Sequence, residues 1–391
     1  MKMLTHLFFL FTFVSFSFLS FSQDLVPYKY GDKYGFKDSQ TGAVVITHIY
    51  DKVAPFSEGL AYAERQGKRF FIDKTNKIKV NLQNYDSVYS YSEGYAAARK
   101  DSLWGFIDKL GIVKVPFKYS KALPFSDGMA VVMLKGKYGY IDKAGKLVIP
   151  AVYEDAVEFK EGLGAVKQKN KYGFVNKSGK IVIPFQFDNT GLFTEGAAVV
   201  KKGEKYGMID KSGKTILPVE YDWAGLFSQG MVRIMKEGTG WGYADKTGKI
   251  VLPLKYEWAG EFQQGLAKIK VNGKYGFINL AGEVVIPVEL DYADDITEGK
   301  IMAVNNGFWG TYDVSGKLTE PFSYRVNRPF SDDMAVVEKD RKYGYINRSG
   351  KLVIPFQYDF AYDFNAGWAE VVLDGKTSFI DKSGKCVKFC R

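Results

Sequence analysis

The sequence has 391 residues, of which 46% are hydrophobic and 16% are aromatic. This composition excludes a disordered chain, because disorder requires low hydrophobicity. The formal net charge of +10 raises nucleic acids and acidic surfaces as partners. The lysines are spread along the whole chain, however, so we interpret them as solvated turn residues and expect no nucleic-acid partner.

The first 22 residues, Met1–Ser22, are predicted to be a secretory leader. Lys2 precedes an apolar run over Leu7–Leu19, and small residues before Gln23 suit a cleavage site. No later apolar run reaches the ~18 residues that a membrane helix needs. We therefore expect an exported chain over residues 23–391 without a membrane span, located in the periplasm, at the cell surface or in the medium.

A repeat organises the rest of the chain. The stretch Lys137–Pro150, KYGYIDKAGKLVIP, returns as Lys171–Pro184, Lys205–Pro218 and Lys342–Pro355. Aligned on the glycine after the aromatic residue, the steps are all 34 or 35 residues. We divide the array into ten full units over residues 34–376, with half-units at 23–33 and 377–391. A fixed period of this size indicates a repeat architecture.

Each unit shows the pattern of short strands. Tyr138–Asp142 and Leu147–Ile149 alternate in polarity around a turn, Pro150 ends the second strand, and Leu163–Lys167 reads as a third. A three-stranded meander alone leaves both faces exposed, so neighbouring units must cover each other. The predicted fold is all-β, with the meanders stacked as a curved solenoid or superhelical array.

One or two β-propellers are the alternative arrangement. The two terminal half-units are complementary, which is how propellers close their ring. Eleven blades nevertheless exceed the usual four to eight, and complementary ends also follow from where the chain enters the repeat period. The sequence therefore favours the open array.

The repeat resembles the bacterial WG-repeat, or KWG-repeat, family over essentially all of Tyr34–Arg391. Trp104-Gly105, Trp241-Gly242 and Trp309-Gly310 keep the dipeptide that gives the family its name. The resemblance implies β-rich repeats in exported or surface-associated proteins, mostly of unassigned role, and no particular activity. Local irregularity is predicted where the pattern changes, at Phe70, Asn81, Leu290 and Asp333.

Two recurring acidic positions invite a metal or catalytic interpretation. The first is Asp after the opening strand, replaced by Asn at Asn176, Asn279 and Asn347. Asn preserves a turn hydrogen bond but loses the charge that a calcium site needs, so we interpret the position as a turn. The second position precedes another glycine; it is Glu58, Glu93, Asp127, Glu161, Glu195, Glu298 and Asp332, replaced elsewhere by Gln229, Gln264 and Ala366. Repetition argues for a structural turn here too.

Positions with catalytic character are scarce. His48 is the only histidine after the leader, and no nucleophile motif or metal-spaced cluster surrounds it. The sequence contains neither a phosphate-binding loop nor a dinucleotide fingerprint. We therefore expect no catalytic residues, no metal, no cofactor and no enzymatic activity.

Tryptophans outside the Trp-Gly dipeptide form the candidate binding surface. Trp223 and Trp258 share the motif acid-Trp-Ala-Gly in adjacent units, and Trp368 is a third. Exposed tryptophans stack on sugars or anchor protein partners. The simpler alternative is that two neighbouring repeats share one packing solution.

The two cysteines, Cys386 and Cys390, lie in the last six residues. In an extended strand they would be about 13 Å apart, beyond the ~7 Å limit for a disulfide. They can pair if the tail turns back, or between chains. We favour a disulfide clamp on the tail, because two thiols alone do not make a metal site.

Together these features predict an exported, non-enzymatic scaffold that recognises a protein or a cell-envelope component. The alternative is a glycan- or cell-wall-binding module, which predicts exposed aromatic residues aligned along one face. An enzyme is the third class, and it requires a cleft with residues unique to one unit.

Overall fold

The computed structural model describes residues 24–297, 299–326, 330–348, 350–365 and 367–390. These residues form 42 β-strands in ten sheets. Within the described ranges there is no helix long and apolar enough to cross a membrane. The predicted leader, Met1–Ser22, lies outside the described residues, as do Glu298 and Ala366.

We number the meanders in chain order. Meander 1 has three strands, β1 Leu25–Tyr30, β2 Lys33–Asp38 and β3 Val44–Tyr50. Meander 2 contains β4 Lys52–Val53, β5 Leu60–Arg65, β6 Lys68–Asp73 and β7 Ile78–Asn81, and meander 3 contains β8 Ser87–Val88, β9 Tyr95–Lys100, β10 Leu103–Asp108 and β11 Val113–Tyr119. Meander 4 contains β12 Lys121–Ala122, β13 Met129–Leu134, β14 Lys137–Asp142 and β15 Leu147–Tyr153, and meander 5 contains β16 Asp155–Ala156, β17 Leu163–Gln168, β18 Lys171–Asn176 and β19 Ile181–Phe187.

Meander 6 contains β20 Asn189–Thr190, β21 Ala197–Lys202, β22 Lys205–Asp210 and β23 Thr215–Tyr221. Meander 7 contains β24 Trp223–Ser228, β25 Met231–Lys236, β26 Gly240–Asp245 and β27 Ile250–Tyr256. Meander 8 contains β28 Trp258–Ala259, β29 Leu266–Val271, β30 Lys274–Asn279 and β31 Val284–Leu290. Meander 9 contains β32 Tyr292–Ala293, β33 Lys300–Asn305, β34 Phe308–Asp313 and β35 Leu318–Val326. Meander 10 adds β36 Met334–Lys339, β37 Lys342–Asn347 and β38 Leu352–Tyr358. Meander 11 contains β39 Phe360–Ala361, β40 Trp368–Leu373, β41 Lys376–Asp381 and β42 Cys386–Lys388. Meanders 9 and 10 share β35 in one seven-stranded sheet.

Every sheet is antiparallel, and its strands are neighbours in chain order. A sheet combines the end of one sequence unit with the start of the next, so the structural repeat is shifted by half a unit from the sequence repeat. Ten sheets, one of which contains two meanders, give eleven meanders in all. The prediction of an all-β array of ~34-residue meanders is confirmed.

Steric crowding explains why glycine follows the aromatic residue in the Trp-Gly or Tyr-Gly pair. In meander 4, Tyr138 pairs with Tyr153 and Tyr140 pairs with Ile149, so the fourth strand bulges opposite Gly139. A Cβ at Gly139 would lie 2.5 Å from the carbonyl oxygen of Ile149, which no side chain tolerates. Where Phe70 replaces this glycine, pairing with the fourth strand continues directly from Phe70–Asn81 to Phe71–Val80 without that bulge.

The hydrophobic core lies between meanders. Ten clusters of buried side chains occur, one at each junction between successive meanders. At the junction of meanders 3 and 4, for example, Phe106 and Val115 pack against Val132 and Ile141. Each of meanders 2 to 10 is therefore covered by a neighbour on both faces, as the stacking argument requires.

The two ends of the array lie close together. A Cβ at Gly367 in meander 11 would be 3.4 Å from the ring of Tyr30 in meander 1. A bond from Arg348 chiefly lowers the pKa of Asp333 in meander 10, and the charge of Lys37 in meander 1 adds to this effect. The terminal half-units do not share a sheet, because β1 pairs with β2 and β42 pairs with β41. The ends thus meet without the strand exchange that closes a propeller.

Candidate functional site

The first recurring acid is a turn residue. Asp142 Oδ1 accepts hydrogen bonds from the backbone N–H groups of Ala144 at 3.0 Å and Lys146 at 2.9 Å. Asn176 makes the same two bonds, to Ser178 and Lys180. Since amide and carboxylate perform the same task, this position is built for the turn. Among the described residues, no three His, Cys, Asp or Glu side chains are grouped as a metal site.

The second recurring acid joins neighbouring meanders rather than closing its own turn. Asp127 of meander 4 accepts a bond from the backbone N–H of Gly162 in meander 5 at 2.5 Å, and it forms an ion pair with Lys177 at 2.7 Å. We call this arrangement the acid clamp. The same acid–lysine pair occurs as Glu58–Lys109, Glu93–Lys143, Glu161–Lys211, Glu195–Lys246 and Asp332–Lys382.

Two junctions replace the clamp by uncharged residues on both sides. Gln229 still accepts the backbone N–H of Gly265 at 2.8 Å, but the lysine position opposite it is Leu280. At the next junction the acid position is occupied by Gln264 and the lysine position by Val314. Carboxylate and lysine therefore change together, and the uncharged junctions lie between meanders 7 and 9.

The same region carries the predicted tryptophans. Trp223 and Trp258 each open the first strand of a meander, β24 and β28. Gly225 and Gly260 follow two residues later on the same side of the strand, and the ring lies over them. A Cβ at Gly225 would be 2.6 Å from Trp223 Cη2, and one at Gly260 would be 3.2 Å from Trp258 Cη2. The Trp-Ala-Gly motif thus sets the orientation of the ring.

A cation accompanies each tryptophan. Arg233 occupies a position on the second strand that is apolar in six other meanders, at Ala97, Val131, Ala165, Val199, Met302 and Val336. Its guanidinium carbon lies 4.5 Å from the centre of the Trp223 ring and 5.2 Å from that of Trp241. Its Nη1 donates to the carbonyl oxygen of Ala259 at 2.9 Å, and its Nη2 is 3.8 Å from Glu261. Arg233 therefore links meanders 7 and 8.

Meander 8 repeats this arrangement. Lys268 occupies the position of Arg233, and its Nζ is 5.5 Å from the centre of the Trp258 ring. Nζ donates to the carbonyl oxygen of Ala293 at 3.0 Å and pairs with Asp295 at 2.7 Å. Two consecutive junctions thus share a tryptophan, a cation beneath it, and an acid from the following meander.

Two clefts open beside these groups. The apolar cleft, about 290 Å³, lies between meanders 6 and 7 and is lined mainly by Val199, Val200, Tyr206, Trp223, Ala224 and Leu226. The charged cleft, about 340 Å³, is lined by Arg233, Trp258, Glu261, Gln263, Lys268 and Asp295, among others. Glu261 borders both clefts, so the two are adjacent.

The row of aromatic side chains continues into meander 9. Tyr292 occupies the position of Trp223 and Trp258, is exposed, and has its ring 6.0 Å from that of Trp309. A hydrogen bond to Asp294, together with burial, raises the pKa of Tyr292 to about 12. In meanders 2 to 6 the same position holds the polar residues Lys52, Ser87, Lys121, Asp155 and Asn189. The array therefore has an aromatic side and a polar side.

The structure does not place Trp368 in these clefts. Trp368 is exposed at the start of β40 in the last meander, with its ring 5.0 Å from that of Phe379. Phe379 in turn lies 5.8 Å from Phe389 in the tail. Phe389 has a positive φ, and the tail turns so that the Cα atoms of Cys386 and Cys390 are 5.6 Å apart in a disulfide.

His48 lies in β3 of the first meander. Its Nδ1 is 3.1 Å from the hydroxyl of Tyr28, and its ring is 4.8 Å from that of Tyr30. Both neighbours are tyrosines. The geometry assigns it to the exposed face of the first meander.

Sequence reasoning found the two tryptophans but missed their partners. Arg233 and Lys268 were detectable, because each is a charge in a position that six other units fill with apolar side chains. The acid clamp was also detectable, because glutamine replaces the acid where the residue 50 or 51 positions later is Val or Leu. Neither signal is visible until the units are compared position by position.

The family follows from the repeats. The sequence pattern described as WG containing repeat matches nine times, at residues 34–68, 70–104, 104–138, 138–172, 172–206, 206–239, 241–275, 275–309 and 343–376. The protein is therefore a repeat protein of stacked β-meanders, and it belongs to the WG-repeat family. No curated protein sequence matches the chain.

Solved structures show only distant similarity. A eukaryotic initiation factor is 11% identical, with coverage of 94% of this chain and 95% of that one and a TM-score of 0.43. The computationally designed Ika8 protein is 13% identical, with coverage of 83% and 99% and a TM-score of 0.31. PorZ, a surface component of the type-IX secretion system of Porphyromonas gingivalis, is 12% identical, with coverage of 89% and 60% and a TM-score of 0.29. The family assignment rests on the repeats, not on these likenesses.

Proposed function

We propose that this protein is an exported, non-enzymatic recognition scaffold that holds a protein or cell-envelope partner at the clefts of meanders 6 to 9. The observation that carries the proposal is that meanders 7 and 8 each combine a tryptophan and a cation at positions that hold polar and apolar residues, respectively, in meanders 3 to 6. In a repeat protein the shared positions maintain the stack, and the positions that vary between units make the binding surface. Tryptophan and arginine are also the residues most enriched at interface hot spots.

Export is supported by the leader predicted at Met1–Ser22, and a non-enzymatic role by the structural duties of the recurring acids. Asp142 serves its turn, and Asp127 joins two meanders. The recurring acids, which could suggest a catalytic or metal site, therefore have structural roles in the turns and between the meanders.

Glycan or cell-wall binding is the second candidate. It is favoured by one observation, the alignment of Trp223, Trp258 and Tyr292 at the same position of three consecutive meanders. A row of partly exposed aromatic rings suits stacking on successive sugar units. Charged groups beside the rings, Arg233 and Glu261 among them, would then bind hydroxyl groups.

Affinity capture from a cell-envelope fraction and a glycan array, both with residues 23–391, test these proposals. The variant is Trp223→Ala/Trp258→Ala, and the matched control is Trp368→Ala, which removes an exposed tryptophan outside the clefts. Circular dichroism verifies that both variants fold.

A protein captured by the wild type and the control but lost by the double variant supports the scaffold. A glycan signal with the same dependence supports the second candidate. Partners retained equally by all three chains would contradict a binding role for the clefts.

A further inference from the structure

We propose that the two adjacent clefts bind a peptide segment of the partner, with an apolar side chain in the apolar cleft and a neighbouring basic side chain at the rim of the charged cleft. This inference deepens the proposed function and rests on it. It assigns the chemistry of the occupant, which the proposed function leaves open.

The apolar cleft selects a hydrophobic side chain. Its walls include the aliphatic side chains of Val199 and Leu226, and Leu226 is exposed at its edge. Aliphatic walls offer no hydrogen bonds to hydroxyl groups, so desolvating a sugar there would be unfavourable. A Leu, Ile, Met or Phe side chain instead exchanges contact with water for contact with this wall and with the ring of Trp223.

The charged cleft presents its acids and hides its cations. The side chains of Arg233 and Lys268 are 20% and 14% exposed, whereas those of Glu261 and Asp295 are 45% and 77% exposed. Both cations are also engaged with a tryptophan ring and a backbone carbonyl. A ligand at the rim therefore meets carboxylates first, although the whole chain has a net charge of +10.

The difference in exposure between the acids and the cations at this rim favours a basic partner. The exposed carboxylates of Glu261 and Asp295 are the first charges that a ligand there would meet. A lysine or arginine side chain would complete the pairing of Glu261, whose contact with Arg233 is long at 3.8 Å.

The adjacency of the clefts sets the spacing in the ligand. Glu261 borders both clefts, so the apolar anchor and the basic side chain must be close along the peptide. An extended peptide advances by about 3.3–3.6 Å per residue. We therefore expect the basic residue within about three positions of the anchor.

Selection from a random heptapeptide phage library on immobilised residues 23–391 tests the inference. Enriched peptides are expected to contain an apolar residue with Lys or Arg within three positions. On the Glu261→Lys variant the basic residue is expected to be replaced by Asp or Glu. On Glu158→Lys, the equivalent position of meander 5 away from the clefts, the preference is expected to stay basic.

Fluorescence anisotropy with a selected peptide then gives the size of each contribution. Replacing the anchor by Ser should weaken binding about tenfold or more. Replacing the basic residue by Ala should weaken it about two- to fivefold, and the Glu261→Gln variant should remove this second effect. Glu261→Gln removes the negative charge without adding a positive charge that would repel the peptide. Its effect therefore reports the lost attraction alone.

Enrichment of acidic peptides, or of peptides without an apolar residue, would overturn the inference. So would the absence of any enriched peptide, or a glycan that depends on Glu261. If such a result accompanies partner loss in Trp223→Ala/Trp258→Ala, the proposed function stands and only the ligand chemistry is wrong. If the tryptophan variant retains its partner, the proposed function itself fails.

Discussion

The acid clamp gives a prediction whose size follows from the structure. In meander 4, Asp127 has two functions: it accepts the N–H of Gly162 and pairs with Lys177. Asp127→Asn keeps an acceptor for Gly162, as Gln229 does for Gly265 at an uncharged junction. It removes only the charge, whereas Asp127→Ala removes both interactions.

Each loss has an expected magnitude. The pair is partly exposed, with side chains 29% and 47% accessible, so its contribution is about 0.5 kcal/mol. Loss of the charged acceptor adds the cost of an unpaired N–H, giving about 2 kcal/mol for Asp127→Ala. Opening at the junction of meanders 4 and 5 should therefore rise about twofold for Asp127→Asn and about thirtyfold for Asp127→Ala.

Amide hydrogen exchange of the peptide that contains Gly162 is the appropriate assay. A repeat array does not unfold in one step, so a global melting curve would mix many junctions. The variants Asp127→Asn and Lys177→Met and their double variant form a thermodynamic cycle with a coupling of about 0.5 kcal/mol. A coupling near zero, or exchange that changes equally at the distant junction of meanders 7 and 8, would refute the clamp.

Two further predictions concern acid stability and the orientation of the tryptophan. Hydrogen bonds and ion pairs lower the pKa of many Asp residues, as Ser212 does for Asp210 and Lys274 for Asp291. These groups bind fewer protons when folded, so stability is retained above the unfolded pKa of about 4 and lost as the pH falls through the folded values. Thermal melts between pH 7 and pH 2.5 should show this fall, and a melting temperature independent of pH would contradict it. Gly225→Ala should displace the ring of Trp223, because the new Cβ would lie 2.6 Å from Cη2. Altered tryptophan fluorescence is the expected result. The control Gly191→Ala, whose Cβ meets only atoms about 3.9 Å away, should leave the fluorescence spectrum unchanged.

The array was predictable because its rules are local. Residues such as Asp142 and Gly145 define a turn within a few positions, and the period of the repeat shows that the same turn recurs. The acid clamp was not predicted, since it joins residues 50 positions apart on different meanders and depends on how the sheets stack. The half-unit shift between sequence unit and sheet has the same origin, because strand pairing and not the sequence period decides where a sheet begins.

The candidate site was only half predictable. Trp223 and Trp258 are visible as an extra motif in two adjacent units, but the groups beneath them come from the second strand and from the following meander. Trp368 satisfied the same composition argument and lies elsewhere, against Phe379. Composition identifies unusual side chains, whereas their assembly into one surface depends on the register of the strands.

The most direct test of the account is site-specific photo-cross-linking in cells that express the protein. A photoreactive amino acid replaces Leu226 at the edge of the apolar cleft, and in a separate chain it replaces Glu158 at the equivalent position of meander 5. The account predicts a discrete cross-linked partner from position 226, lost in the Trp223→Ala/Trp258→Ala background, and none from position 158. Equal cross-linking from both positions, or cross-linking from position 158 alone, would contradict the assignment of recognition to the clefts of meanders 6 to 9.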